Sequence, residues 1–126
     1  MTRTAINTDN APAAIGTYSQ AIKHGDTVYI SGQIPVVPET GEVISDDIAE
    51  QIEQVFKNLA AVAAAADSDL GKALKVTVFL TDLTHFAKVN ETMARYFAEP
   101  YPARAAVQVA GLPLGVQVEA DAVLSL

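Results

Sequence analysis

The chain contains no cysteine, which excludes disulfides, a thiolate metal site and a cysteine nucleophile. It is also poor in positive charge. Eight Lys and Arg stand against fifteen Asp and Glu, for a formal net charge of −7. Sequence-independent binding to nucleic acid depends on neutralising phosphates, and basic residues scattered without a cluster argue against it. No apolar run is long enough to span a bilayer; the alanine-rich "LAAVAAAA" at 59–66 sits inside a longer amphipathic pattern. The first residues, "MTRTAINTDNAPAAIG", lack the basic-then-apolar layout of a signal peptide. A cytoplasmic protein with neither a membrane nor a nucleic-acid partner is the expectation.

What is present is a chain of 126 residues, half of them apolar. That suffices for one core, so residues 1–126 are read as a single domain. "TRTAI" near the start reads as a short strand. "YSQAIK" and "TVYISG", separated by "HGD", read as a hairpin. The turn-rich "PVVPETGEVISDD" leads into the clearest element, a helix with Ile48, Ile52, Val55, Phe56, Leu59, Val62 and Ala63 on one stripe. Asp47 and Glu50 have capping-box spacing, and the helix should stop near "DSDLG". "ALKVTVFLT" is apolar on both faces, as in an interior strand. Asp82 or Thr84 caps a second helix with Phe86, Val89, Met93 and Phe97 turned inward; "ARAAVQVA" and "VQVEADAVLSL" are the last two strands.

The order is therefore ββαβαββ or close to it: an α+β fold with one sheet and two helices packed on one face. The opposite face, with Thr, Tyr, Ser and Gln among aliphatics, suggests cover by another subunit and hence a homo-oligomer. A simple hairpin centred on "GLPLG" pairs Arg104 with Asp121, Ala106 with Glu119 and Gln108 with Gln117, all on one side of the sheet. Arg104 is then a partly buried guanidinium in need of an anion. Two readings follow. Either Arg104 forms a cross-strand ion pair with Asp121 or Glu119, or it holds an anionic ligand while Glu119 moves protons, with room left by Ala105 and Ala106. Spacing leaves both open. His24 and His85 each lack the further ligands that a metal site requires.

Six blocks, "NAPAAIGTYSQAI", "VYISGQIPVVPETGEV", "QIEQVFKNLAAV", "KVTVFLTDLTHFAKVNETMARYF", "PARAAVQVAGLP" and "VEADAV", resemble in order the successive blocks of the RidA family, also called YjgF or L-PSP. The resemblance covers nearly the whole chain. It implies a chorismate-mutase-like fold, a homotrimer with pockets at the subunit interfaces, and hydrolysis of 2-imino acids or their enamine tautomers to 2-oxo acids and ammonia. Such intermediates leave pyridoxal-phosphate enzymes that dehydrate serine and threonine. The family reaction needs neither metal nor organic cofactor. Position by position, the resemblance puts the carboxylate-gripping arginine on Arg104 and the water-activating glutamate on Glu119, kept ionised by the arginine. The pocket tyrosine falls on Tyr18 and the ligand-approaching glycine on Gly32, beside Ser31. Ala105 and Ala106 line the site, and Asn90 and Asp121 are supporting candidates, Asn90 by bonding backbone next to its helix. Two departures stand out: Ala106 where many relatives carry cysteine, and Thr17 where proline is usual. A carboxylate-sensing protein without turnover, and a ribonuclease or translation inhibitor, are the competing functions.

Overall fold

Alternation along each strand puts its apolar residues on one side, and both helices bury their stripes against that side. A computed structural model describes residues 2–126, with Met1 outside it. The elements are β1 (Arg3–Ile6), β2 (Ala21–His24), β3 (Thr27–Gln33), β4 (Val36–Val37), β5 (Glu42–Val43), α1 (Ile48–Ala65), β6 (Ala73–Leu80), α2 (Phe86–Tyr96), β7 (Ala103–Gln108) and β8 (Val118–Ser125). Six strands form one mixed sheet in the order β1-β2-β3-β8-β6-β7, while β4 and β5 make a separate two-stranded ribbon within the stretch read from sequence as turns.

The helix and the first hairpin form as their sequences dictate. β2 and β3 pair through a turn at Gly25, whose φ of 59° suits glycine. At the start of α1, Asp47 Oδ2 accepts from the Glu50 backbone N–H at 2.9 Å. The return half of the capping box runs through Ser45. Its Oγ accepts from the Asp47 N–H (3.1 Å) and donates to Glu50 Oε1 (2.6 Å). Ile52, Val55, Phe56, Leu59 and Val62 of α1 are fully buried, as are Val28, Val76, Val78, Leu80, Val118, Ala120 and Leu124 of the sheet. Phe56 meets the rings of Tyr96 and Phe97 at 5.8 and 5.9 Å, which fixes α2 beside α1.

The last two strands depart from the expected hairpin. β7 and β8 do not pair. β6 lies between them, parallel to β7 and antiparallel to β8. A parallel pair needs a crossover, and α2 supplies it. The rows across the three strands are Arg104–Val76–Ala122, Ala106–Val78–Ala120 and Gln108–Leu80–Val118 on the helix side. Ala105–Thr77–Asp121 and Val107–Phe79–Glu119 lie on the open side. The Leu80 carbonyl accepts from Val109 N–H while Thr81 N–H donates to Gln117 O, so 109–117 must step over the end of β6. "GLPLG" accordingly forms a 3₁₀ turn at Pro113–Gly115.

α1 also carries buried amides that hold loops. Asn58 Nδ2 donates to the carbonyls of Ile34 and Val36 (3.1 and 3.0 Å), and Gln54 Nε2 donates to Asn58 Oδ1 at 2.8 Å. Gln51 donates to Ser45 O and accepts from Gln117 N–H. Replacing Asn58 by Ala orphans buried carbonyls, so Asn58→Ala is expected to lower the urea midpoint by the equivalent of about 1–3 kcal/mol; an unchanged midpoint counts against this role for the amide.

Candidate functional site

The edge strand β7 presents Arg104 toward α2. Its side chain is exposed, not partly buried, and it has no carboxylate partner: Arg95–Glu53 is the single ion pair among the described residues. Neither Glu119 nor Asp121 answers its charge. Nη1 donates instead to Asn90 Oδ1 and to Met93 Sδ (3.7 Å), and the guanidinium carbon lies 4.7 Å from the centre of the Phe86 ring. Asn90 therefore bonds the arginine side chain and not the backbone. Phe86, read from sequence as inward, is half-buried beneath that charge. Beside Arg104 opens a cleft of about 470 Å³ lined by Asn90, Met93, Ala94, Tyr101 and Pro102.

Glu119 belongs to the other side of the sheet, two strands away. Gly32 faces it so closely that a Cβ built on the glycine would stand 2.7 Å from Glu119 Oε2. Only a residue without a side chain leaves that carboxylate where it is. A bulge between Ile30 and Gln33 positions this glycine. Ser31 is occupied holding the preceding loop: its Oγ donates to Ser19 O at 2.6 Å, and its N–H bonds Gln20 O at 3.0 Å. That loop carries Tyr18, half-exposed, whose hydroxyl accepts from Ile15 N–H at 3.4 Å. Tyr18 and Gly32 share a second cleft of about 240 Å³ with Ile15, Ile34, Val36 and Leu114.

The chain thus assembles two groups. Tyr18, Ser31, Gly32, Glu119 and Asp121 gather around the β3–β8 pair, and Arg104 with Asn90 lies under α2. Ala105 and Ala106 do not both flank the arginine face: Ala106 shares the helix side with it, and Ala105 points to the open side opposite Thr77. Phe86, Met93, Tyr101 and the loop-holding Gln20 were not singled out for the site from sequence. The first two, with Asn90, share one stripe at i, i+4 and i+7, a pattern indistinguishable in sequence from core packing. Gln20 is 2% exposed and bonds Thr8, Ala11 and Pro12. Among the described residues no group of three His, Asp or Glu side chains is placed to hold a metal ion.

Burial raises the pKa of Glu119 above the ordinary carboxyl value, and the nearby Asp121 charge adds to the effect. No arginine lowers it, contrary to the expectation from sequence. Asp121 is raised by burial too, against hydrogen bonding from Thr77 and the Lys75 charge. A carboxyl group raised in this way favours the folded state at low pH, where it is protonated. That contribution is lost as pH climbs from the unfolded to the folded pKa. Glu119→Gln is accordingly expected to raise the melting temperature at pH 7 by roughly 1–3 °C, allowing for solvent screening. The gain should vanish below about pH 4; thermal scans across that range check it, and a pH-independent difference contradicts it.

Comparison with known proteins extends these observations. The sequence model of the family described as Endoribonuclease L-PSP matches residues 8–125. RutC family protein y4sK of Sinorhizobium fredii is 53% identical over 96% of both chains. The 2-iminobutanoate/2-iminopropanoate deaminase of Homo sapiens is 46% identical, with 96% of this chain and 88% of that protein covered. Among solved structures, RidA from the Antarctic bacterium Psychrobacter sp. PAMC 21119 superimposes with a TM-score of 0.94 at 52% identity, covering 98% of this chain and 99% of that one.

Proposed function

The chain belongs to the endoribonuclease L-PSP family, the RidA family of the sequence resemblance, and from that premise we propose that it hydrolyses 2-imino acids to 2-oxo acids and ammonia. The observation that carries this reading is Arg104, a permanent cation with no internal carboxylate, standing beside an open cleft. Such a group suits a substrate carboxylate gripped through paired N–H donors. The name of the human relative, 2-iminobutanoate/2-iminopropanoate deaminase, points the same way.

In this reading Glu119 takes a proton from water as the oxygen adds to the imine carbon. With the imine nitrogen protonated, addition gives a neutral carbinolamine. Glu119 returns the water proton to nitrogen, and the C–N bond breaks to release ammonia. The hydroxyl gives its proton to Glu119 as its oxygen becomes the carbonyl, and the ammonia finally takes that proton from Glu119. A carboxyl group with a raised pKa serves both directions of that exchange. Gly32 keeps the carboxylate in place, and Tyr18 closes the neighbouring cleft.

Because Arg104 and Glu119 lie on opposite faces, two strands apart, one protomer does not bring both to one substrate. The site is completed when the β7 edge of one copy meets the open face of the next, within a homotrimer. The free edge of β7 and the exposed Tyr29 and Val107 on the open face favour such an arrangement.

The test couples a serine or threonine dehydratase to the protein and follows 2-oxo acid release. Arg104→Ala and Glu119→Gln should each abolish the acceleration. If wild-type protein fails to speed imine decay while still binding a 2-oxo acid, binding without turnover replaces the deaminase reading. Mixing the two inactive variants, unfolding them and refolding them together should restore about a quarter of the activity, since random assembly reunites one intact Arg104 with one intact Glu119 in that share of sites. No recovery from properly reassembled mixtures argues against a shared site.

A further inference from the structure

Arg104 meets three side chains from α2, spaced at i, i+4 and i+7: Phe86, Asn90 and Met93. None carries a charge. Phe86 offers its ring face to the guanidinium, Asn90 an amide oxygen, and Met93 a polarisable sulfur. Both acceptors engage the same nitrogen, Nη1. A free arginine side chain samples many rotamers and loses that entropy when it binds. One held by a carboxylate is ordered but already neutralised. A neutral cradle orders the guanidinium and leaves its charge unmatched.

We propose that Phe86, Asn90 and Met93 are positioning residues that fix Arg104 by its Nη1 side and one ring face, so that Nη2 and Nε are the pair turned to an incoming carboxylate. The proposal rests on the carboxylate-binding reading of Arg104 and adds which edge of the guanidinium binds and what sets it. It makes the uncharged character of position 90 a determinant of affinity. An aspartate there would pair with Arg104 internally and compete with the ligand.

The test combines nitrogen-15 spectroscopy of the arginine side chains with titration by pyruvate, a stable 2-oxo acid. In the wild type, Arg104 should show two distinct Nη signals, because hydrogen bonding at Nη1 hinders rotation; in Asn90→Ala they should merge. Pyruvate affinity should fall about tenfold in Asn90→Ala, the scale of losing one bond to a charged group. In Asn90→Asp it should fall to the level of Arg104→Ala. Phe86→Leu keeps the core filled and should weaken binding less than Asn90→Ala while also broadening the Arg104 signals. Asn90→Ala with unchanged Arg104 signals, or Asn90→Asp with wild-type pyruvate affinity, overturns the cradle. An ordered Arg104 in a wild-type protein that does not bind pyruvate overturns the carboxylate reading and leaves the cradle standing.

Discussion

The parallel pairing of β6 with β7 governs where every chemical group of this protein ends up. Parallel neighbours require a crossover that covers one face, and here the crossover is α2. β7 is consequently an edge strand running beneath a helix, and its first helix-side residue is Arg104. β8 enters on the opposite flank of β6, antiparallel, beside β3. With β6 between them, Arg104 and Glu119 acquire separate surroundings although only fourteen residues separate them in the chain. Their separation follows from hydrogen-bond topology and not from any property of the two side chains.

That separation sets the electrostatics. Arg104 has no carboxylate neighbour, and α2 gives it only neutral contacts, so its charge is unmatched within the described residues. Without a cationic neighbour, Glu119 is governed by burial and by Asp121, both of which favour its protonated form. An internal pair would have reversed both: a neutralised arginine and a strongly ionised glutamate. The chain holds a cation without a carboxylate partner on one side of the sheet and a carboxyl group of raised pKa on the other.

Around these groups the loops are tied by buried amides rather than by more apolar surface. Gln20 holds the segment before Tyr18; Gln51, Gln54 and Asn58 hold the connections after β3, before α1 and before β8. Gln20, Gln51 and Asn58 reach backbone carbonyl or N–H groups of irregular segments, and Gln54 donates to the Asn58 side chain, which lets non-repetitive segments pack against a dry core. Gly32 and its bulge sit inside this frame, where any side chain at that position would displace the Glu119 carboxylate.

The sequence by itself determined the helices, the main-sheet strands and most of their faces, though not the β4–β5 ribbon. The α1 stripe, the Asp47 cap, the β2–β3 hairpin and the doubly apolar β6 follow from local periodicity and turn chemistry, which act over a few residues. It also marked Arg104, Glu119, Gly32 and Tyr18, through blocks shared with a family. Only the tertiary structure decided which strands are neighbours. Alternation says which residues of a strand share a side, but not which strand lies beside it. A glycine-rich turn between two strands looks the same whether the chain doubles back or steps over another strand. For that reason the Arg104–Asp121 pairing read from "GLPLG" gave way to rows running through β6, and Asn90 and Phe86, ordinary helix positions in the sequence, became the partners of the arginine.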